Sequence, residues 1–126
     1  MNFPQNLKYT NDHEWIHVEG TTGTVGITEY AQGELGDVVF VELPAIGKQL
    51  KQGETFGTVE AVKAVSDLFA PVSGEVIEVN PQLEKTPEIV NRDSYGGGWM
   101  IKIRIANAGE LNTLLSSERY RELIGK

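Results

Sequence analysis

Two histidines occur in the 126 residues, and both fall in His13-Glu14-Trp15-Ile16-His17, a literal H-E-x-x-H. On a helix that spacing sets two imidazoles on one side with a glutamate beside a metal-bound water, the arrangement of a zinc hydrolase. The flanks argue for a strand instead. Trp15, Ile16 and Val18 favour extended backbone, and Gly20-Thr21-Thr22-Gly23 closes the segment soon after His17. On a strand, residues 13, 15 and 17 share a face, and the imidazoles sit far apart for one metal. A third ligand would have to be a carboxylate. No Gly-x-Ser-x-Gly elbow is present, and Pro71-Val72-Ser73-Gly74 reads as a turn. Gly96-Gly97-Gly98 lacks both the spacing and the following helix of a phosphate loop. Cysteine is absent, which removes thiol nucleophiles, disulfides and thiolate metal sites together.

One lysine is placed differently from the rest. In Val59-Glu60-Ala61-Val62-Lys63-Ala64-Val65-Ser66-Asp67, strand-like runs flank Val62-Lys63-Ala64, and Leu68 to Val76 supplies a further turn and strand. Lys63 therefore stands at the first hairpin tip. An ordinary lysine is charged at neutral pH and is a poor unaided nucleophile. Held on a rigid hairpin, it is well presented to an enzyme that modifies it. The plainer alternative is a solvated lysine on a loop.

The elements that must hold such residues are mostly strands. Trp99, Ile101, Ile103 and Ile105 alternate with Met100, Lys102 and Arg104, so the first set predicts a buried face. The unbroken apolar run Val38-Val39-Phe40-Val41 predicts a strand buried on both sides. Further strands are expected at Glu14–Val18, Thr24–Ile27, Thr55–Ala61, Val65–Ala70 and Glu75–Val79, with glycine and proline turns between them. Asn80-Pro81 opens a short helix that Pro87 limits. Helical spacing returns in Gly109–Leu115 and Ser117–Ile124, the latter capped by Ser116 or Ser117. This order predicts a mainly β fold, a small sandwich or flattened barrel in one domain over residues 1–126.

Composition narrows the partners. Eighteen acidic against eleven basic side chains give a net charge of −7, which leaves no positive stripe for nucleic acid. No apolar run approaches the ~20 residues of a membrane span. The segment Met1 to Leu7 has neither a signal-peptide core nor an arginine-rich transit pattern, as expected of a cytoplasmic protein.

The Lys63 hairpin resembles the arm of lipoyl and biotinyl carrier domains. Biotin carriers bear methionine on both sides of the lysine, where this chain has Val62 and Ala64; lipoyl domains of 2-oxo acid dehydrogenases bear aspartate before it. Glu60-Ala61-Val62-Lys63-Ala64 instead resembles the glycine cleavage system H protein family. The likeness extends through Tyr9 to Trp15, Gly26-Ile27-Thr28, Ala31-Gln32 and Leu35 to Pro44. It continues in Ala70 to Val76, Asn80, Pro87, Asn91 and Gly97-Gly98-Trp99, and so covers nearly the whole chain.

The resemblance implies a lipoyl-domain-like sandwich of two small antiparallel sheets with short helices and a helical C-terminus. It implies lipoate in amide linkage to Lys63, a carrier with no turnover of its own, and an aminomethyl group received from a pyridoxal-phosphate glycine decarboxylase, the P protein. The T protein, a tetrahydrofolate-dependent aminomethyltransferase, would take that group, and dihydrolipoamide dehydrogenase, the L protein, would reoxidise the arm. A lipoylating enzyme is a fourth implied partner. Glu14 and Asp67 are the expected carboxylates of a cleft that shelters the loaded arm. Glu34 stands where some relatives carry histidine. A role as lipoyl donor to 2-oxo acid dehydrogenase carriers is compatible with the same residues. The zinc hydrolase through His13, Glu14 and His17, and a plain interaction domain, are the alternatives from other classes.

Overall fold

A computed structural model describes all 126 residues. Nine strands form in chain order. They are β1 (Lys8–Tyr9), β2 (Glu14–Glu19), β3 (Thr22–Ile27), β4 (Val38–Glu42) and β5 (Gln49–Leu50), then β6 (Thr55–Ala61), β7 (Val65–Phe69), β8 (Gly74–Val79) and β9 (Ile101–Ile105). Four short helices accompany them: α1 (Glu29–Leu35), α2 (Gln82–Lys85), α3 (Ile89–Arg92) and α4 (Ser117–Ile124). All strand pairs are antiparallel, in a six-stranded sheet β1-β2-β3-β9-β8-β5 and a three-stranded sheet β4-β6-β7. The two sheets face each other as an open sandwich and do not close into a barrel.

The core lies between them. Ile16, Val25, Ile27, Val76, Ile101 and Ile103 come from the larger sheet and Val38, Val41, Phe56, Val59 and Leu68 from the smaller. The period-two pattern of β9 holds at Ile101 and Ile103, but Met100 is fully buried and not on an outer face. It precedes the strand, where its N–H donates to the Val25 carbonyl and its side chain joins the core. A second cluster of Leu7, Tyr9, Trp15 and Tyr120 ties the N-terminal segment to α4, with Tyr9 and Tyr120 stacked 4.8 Å apart.

Three sequence expectations need correction. The Val38–Val41 run is not buried on both sides: Val39 and Phe40 are about half exposed. A bulge between Val38 and Phe40, where β4 pairs with β6, turns both side chains outward on an edge strand. Residues Gly109–Leu115 do not form an α-helix. A 3₁₀ helix spans Ala108–Thr113, started by Asn107, whose side chain accepts from the Gly109 N–H. Helix α1 was not expected, because it is seven residues long, contains Gly33 and buries no residue fully. Thr28 starts it by accepting from the Ala31 N–H. The bounds of α4 follow the sequence, whereas α2 starts at Gln82 with Pro81, not Asn80, at its cap position. Ser116 caps α4 through the Arg119 N–H, Gly125 ends it at φ 73°, and Asn80 accepts from the Gln82 N–H at the start of α2.

Candidate functional site

Strands β6 and β7 form the arm. Ala61 N–H donates to the Ala64 carbonyl at 2.7 Å, leaving Val62 and Lys63 as the two tip residues. Neither has positive φ, so the tip is not one of the primed hairpin turns that match strand twist. A second contact compensates: the Val62 N–H donates to the Asp37 carbonyl at 3.0 Å, tying the tip to the loop after α1. The Lys63 side chain lies over Gly36, where an added β-carbon would come within 3.3 Å of Lys63 Cε. Gly36 also has φ 83°, so glycine there serves both the backbone and the path of the lysine. Lys63 is exposed and forms no salt bridge. Phe40, Glu60 and Val65 form one exposed row across β4, β6 and β7 beneath it.

Asn91, on α3, locks the loop that supports the tip. Its side chain accepts from Val38 N–H at 2.9 Å and donates to Gln32 Oε1 at 2.9 Å and to the Gly36 carbonyl at 2.8 Å. Asn91→Ala removes all three and strands the Val38 N–H. A loss of about 2–3 kcal/mol in urea unfolding is expected; a change below roughly 0.5 kcal/mol would show that the clamp is not needed.

Beside the arm, between α1 and strands β6 and β7, lies a cleft of about 210 Å³. Asp12, Glu14, Glu34 and Asp67 line it with His13 and Tyr30, and no lysine or arginine does. The fold thus brings Glu14, Asp67 and Glu34 to one opening, while Lys63 approaches from the Gly36 end of α1. Apolar walls come from Ile27, Leu35, Val59 and Leu68.

Glu14 sits deepest, 1% exposed. Thr10 Oγ1–H donates to Oε1 at 2.6 Å and Phe69 N–H donates to Oε2 at 3.2 Å. Burial nevertheless dominates and pushes its carboxyl up to about 8. His13 stands in the turn before β2 at φ 72°, the one non-glycine residue with positive φ. Its Nδ1 shares a 2.9 Å hydrogen bond with the Tyr120 hydroxyl, which also meets Thr28 Oγ1 at 2.8 Å. Burial holds the His13 imidazole below its usual range, while the Asp12 and Glu34 carboxylates pull the other way. Burial also pushes the Tyr120 phenol up to about 12.

The H-E-x-x-H segment is a strand, as its flanks predict, with one correction. His13 lies outside β2, so it does not share a face with Trp15 and His17. His13 lines the carboxylate cleft, whereas His17 lines a separate cavity with Trp15, Trp99 and Lys102. No three His, Asp or Glu side chains converge as metal ligands. Three contributors escaped the sequence reading, Thr10, Asp12 and Tyr30. A threonine four residues before a buried glutamate was the one available signal for the first.

One lysine held at the tip of a two-stranded arm, next to a cleft of carboxylates on a two-sheet sandwich, is the arrangement of a carrier module. The glycine cleavage H-protein family model matches residues 7–126. A glycine cleavage system H protein of Bacteroides fragilis is 59% identical over 124 residues, 98% of either chain. One from Staphylococcus haemolyticus is 54% identical over 126 residues, the full length of both. The crystal structure of a glycine cleavage system H protein from Mycobacterium marinum matches with a TM-score of 0.90 at 40% identity, covering 98% of this chain and 99% of that one. The chain belongs to the glycine cleavage H-protein family, and its role is that of a carrier in glycine cleavage. No helix is long and apolar enough to cross a membrane.

Proposed function

We propose that Lys63 is the lipoyl attachment point and that residues 1–126 act as one cytoplasmic carrier unit without turnover of its own. The observation that carries this reading is an exposed lysine, fixed at a hairpin tip against Gly36, beside a cleft lined by four carboxyl groups, a histidine and a tyrosine and by no lysine or arginine. Lipoate, joined to Lys63 Nζ by an amide, would supply a dithiolane, the redox sulfur that a chain without cysteine lacks.

The residues present fit that group. The amide replaces an ammonium that no acidic side chain neutralises in the structure, so attachment breaks no ion pair. Leu35, Val59 and Leu68 offer apolar walls to a hydrocarbon chain, Asp67 offers a carboxylate, and Glu14 offers a buried carboxyl that can ionise beside an ammonium at its end. Glu34 adds a third carboxylate at the same opening. The glycine decarboxylase, the aminomethyltransferase, dihydrolipoamide dehydrogenase and a lipoylating enzyme are the partners of this reading. The exposed row of Phe40, Glu60 and Val65 supports brief docking near the tip.

Reconstitution tests the role. Exchange of the glycine carboxyl carbon with bicarbonate, catalysed by a glycine decarboxylase, should require the lipoylated chain and be absent with the unmodified one. Equal rates with both forms would overturn the proposal.

A further inference from the structure

We propose that Thr10 is the positioning residue of the carboxylate cleft, its hydroxyl holding Glu14 in the orientation and charge state that receive an ammonium. This deepens the function proposed above and rests on it. The hydroxyl's own bonds fix its role. Thr10 Oγ1 accepts from two backbone groups, Asp12 N–H at 3.2 Å and Glu14 N–H at 3.1 Å. Both lone pairs are thereby occupied, and only the hydroxyl proton is left to give. It goes to Glu14 Oε1 at 2.6 Å, in the range of a strong hydrogen bond to a carboxylate. The turn around the pair is closed by Thr10 N–H to the Glu14 carbonyl and by His13 N–H to the Thr10 carbonyl. Thr10 therefore acts as a fixed donor and cannot rotate to accept.

The position of Glu14 makes that donor matter. Besides the arm cleft, Glu14 lines a second cavity of about 180 Å³ behind it, shared with Tyr9, Thr10, Asp12, Phe69 and Thr113. A buried carboxyl with no cation beside it favours its protonated form. An ammonium arriving from the cleft would favour the ionised form, and the displaced proton can leave through the second cavity while the first is filled. The titratable groups that line the two cavities with Glu14 are Asp12 and His13 from the preceding turn, Tyr30 and Glu34 from α1, Asp67 from β7, and Tyr9 from β1, and Tyr120 of α4 also feels its charge. Thr10 and the Phe69 N–H are the two donors from outside Glu14 that favour its carboxylate against burial.

The test follows the Glu14 side-chain carboxyl carbon by ¹³C NMR during pH titration of the unmodified chain, with Thr10→Val and Thr10→Ser compared to the parent. Thr10→Val should move the midpoint up by about one pH unit, the effect of losing one charge-assisted donor. Thr10→Ser keeps the hydroxyl and should stay within a few tenths of a unit of the parent. An unmoved midpoint in Thr10→Val, or equal shifts in both variants, would overturn the proposal. Should Thr10→Val fail to fold, Thr10→Ala carries the same expectation. In the lipoylated chain, Thr10→Val should also shorten retention of the aminomethyl group several-fold at neutral pH, and unchanged retention would overturn the role toward the arm. If Lys63 is never lipoylated, the functional reading fails, while the titration still decides whether Thr10 sets the charge state of Glu14.

Discussion

Lys63→Arg is expected to abolish carrier function, lowering glycine–bicarbonate exchange by at least about a thousandfold, while leaving the melting temperature within roughly 1 °C of the parent. Both halves follow from position. Arginine keeps the positive charge, but its guanidinium does not form the lipoyl amide, so no cofactor can be attached. Surface substitutions away from buried features usually change stability by no more than about 0.5 kcal/mol. Lys63 is such a residue: its side chain is exposed, forms no salt bridge and lies along Gly36. The tip is held by backbone bonds, from Ala61 N–H to Ala64 and from Val62 N–H to Asp37, which the substitution leaves intact. Scanning calorimetry and the exchange assay on the same preparation check the two halves. Residual exchange near the parental rate would mean that another group carries the intermediate. A large fall in melting temperature would mean that the lysine is structural.

Glu14→Gln should make the chain less stable at about pH 4 and more stable at pH 8. Below the unfolded carboxyl's ordinary value of 4.5, folded and unfolded chains both hold the proton, and the buried residue carries no ionisation penalty. Between 4.5 and about 8 the unfolded chain ionises while the folded site does not. Unfolding then releases a proton, so stability falls as pH rises through that window. A displacement of this size corresponds to roughly 3–5 kcal/mol at pH 8, an upper bound for a site that can relax. Glutamine cannot ionise and escapes this loss. It pays instead with one hydrogen bond, because Thr10 Oγ1–H and Phe69 N–H both donate and an amide has only one acceptor oxygen. That bond is worth about 1 kcal/mol and does not depend on pH over this window. Urea unfolding of both chains at pH 4 and pH 8 should therefore show the order of stability reversing. Stability curves that run parallel would contradict a neutral buried Glu14. The same substitution removes the carboxyl that can ionise beside an ammonium, so retention of the aminomethyl group should fall at pH 8 and change little at pH 4, where the parental Glu14 holds its proton.

Much of the sandwich was legible because alternation has one physical cause, burial of one strand face. β2, β6, β8 and β9 were placed within a residue or two for that reason. A different rule, that an unbroken apolar run is buried on both sides, placed β4 but missed its exposure. A bulge adds a residue to one strand and turns Val39 and Phe40 outward, and nothing in an apolar run announces it. The two-residue strands β1 and β5 are too short to show a period. Helix α1 was invisible because it offers only Ala31 and Leu35, partly buried, to the core, and is held besides by the Thr28 cap, Asn91 and its contact with α3.

The candidate site divides in a similar way. Lys63 could be read from the hairpin, and its neighbours from resemblance to the family. Glu14, Glu34 and Asp67 share one cleft only because the fold sets α1 opposite the β6–β7 arm, and spacing along the chain does not encode that arrangement. The positive φ of His13, which sends its ring toward Tyr120 and away from the face of His17, was equally unreadable. That one backbone angle separates the two histidines that the H-E-x-x-H motif appeared to join.

Intact mass and peptide mapping of the chain, purified from its native host grown with ample lipoate, test the central claim most directly. One lipoyl adduct per chain is expected, located on the peptide containing Lys63. Unmodified protein, or an adduct on any other lysine, would contradict it.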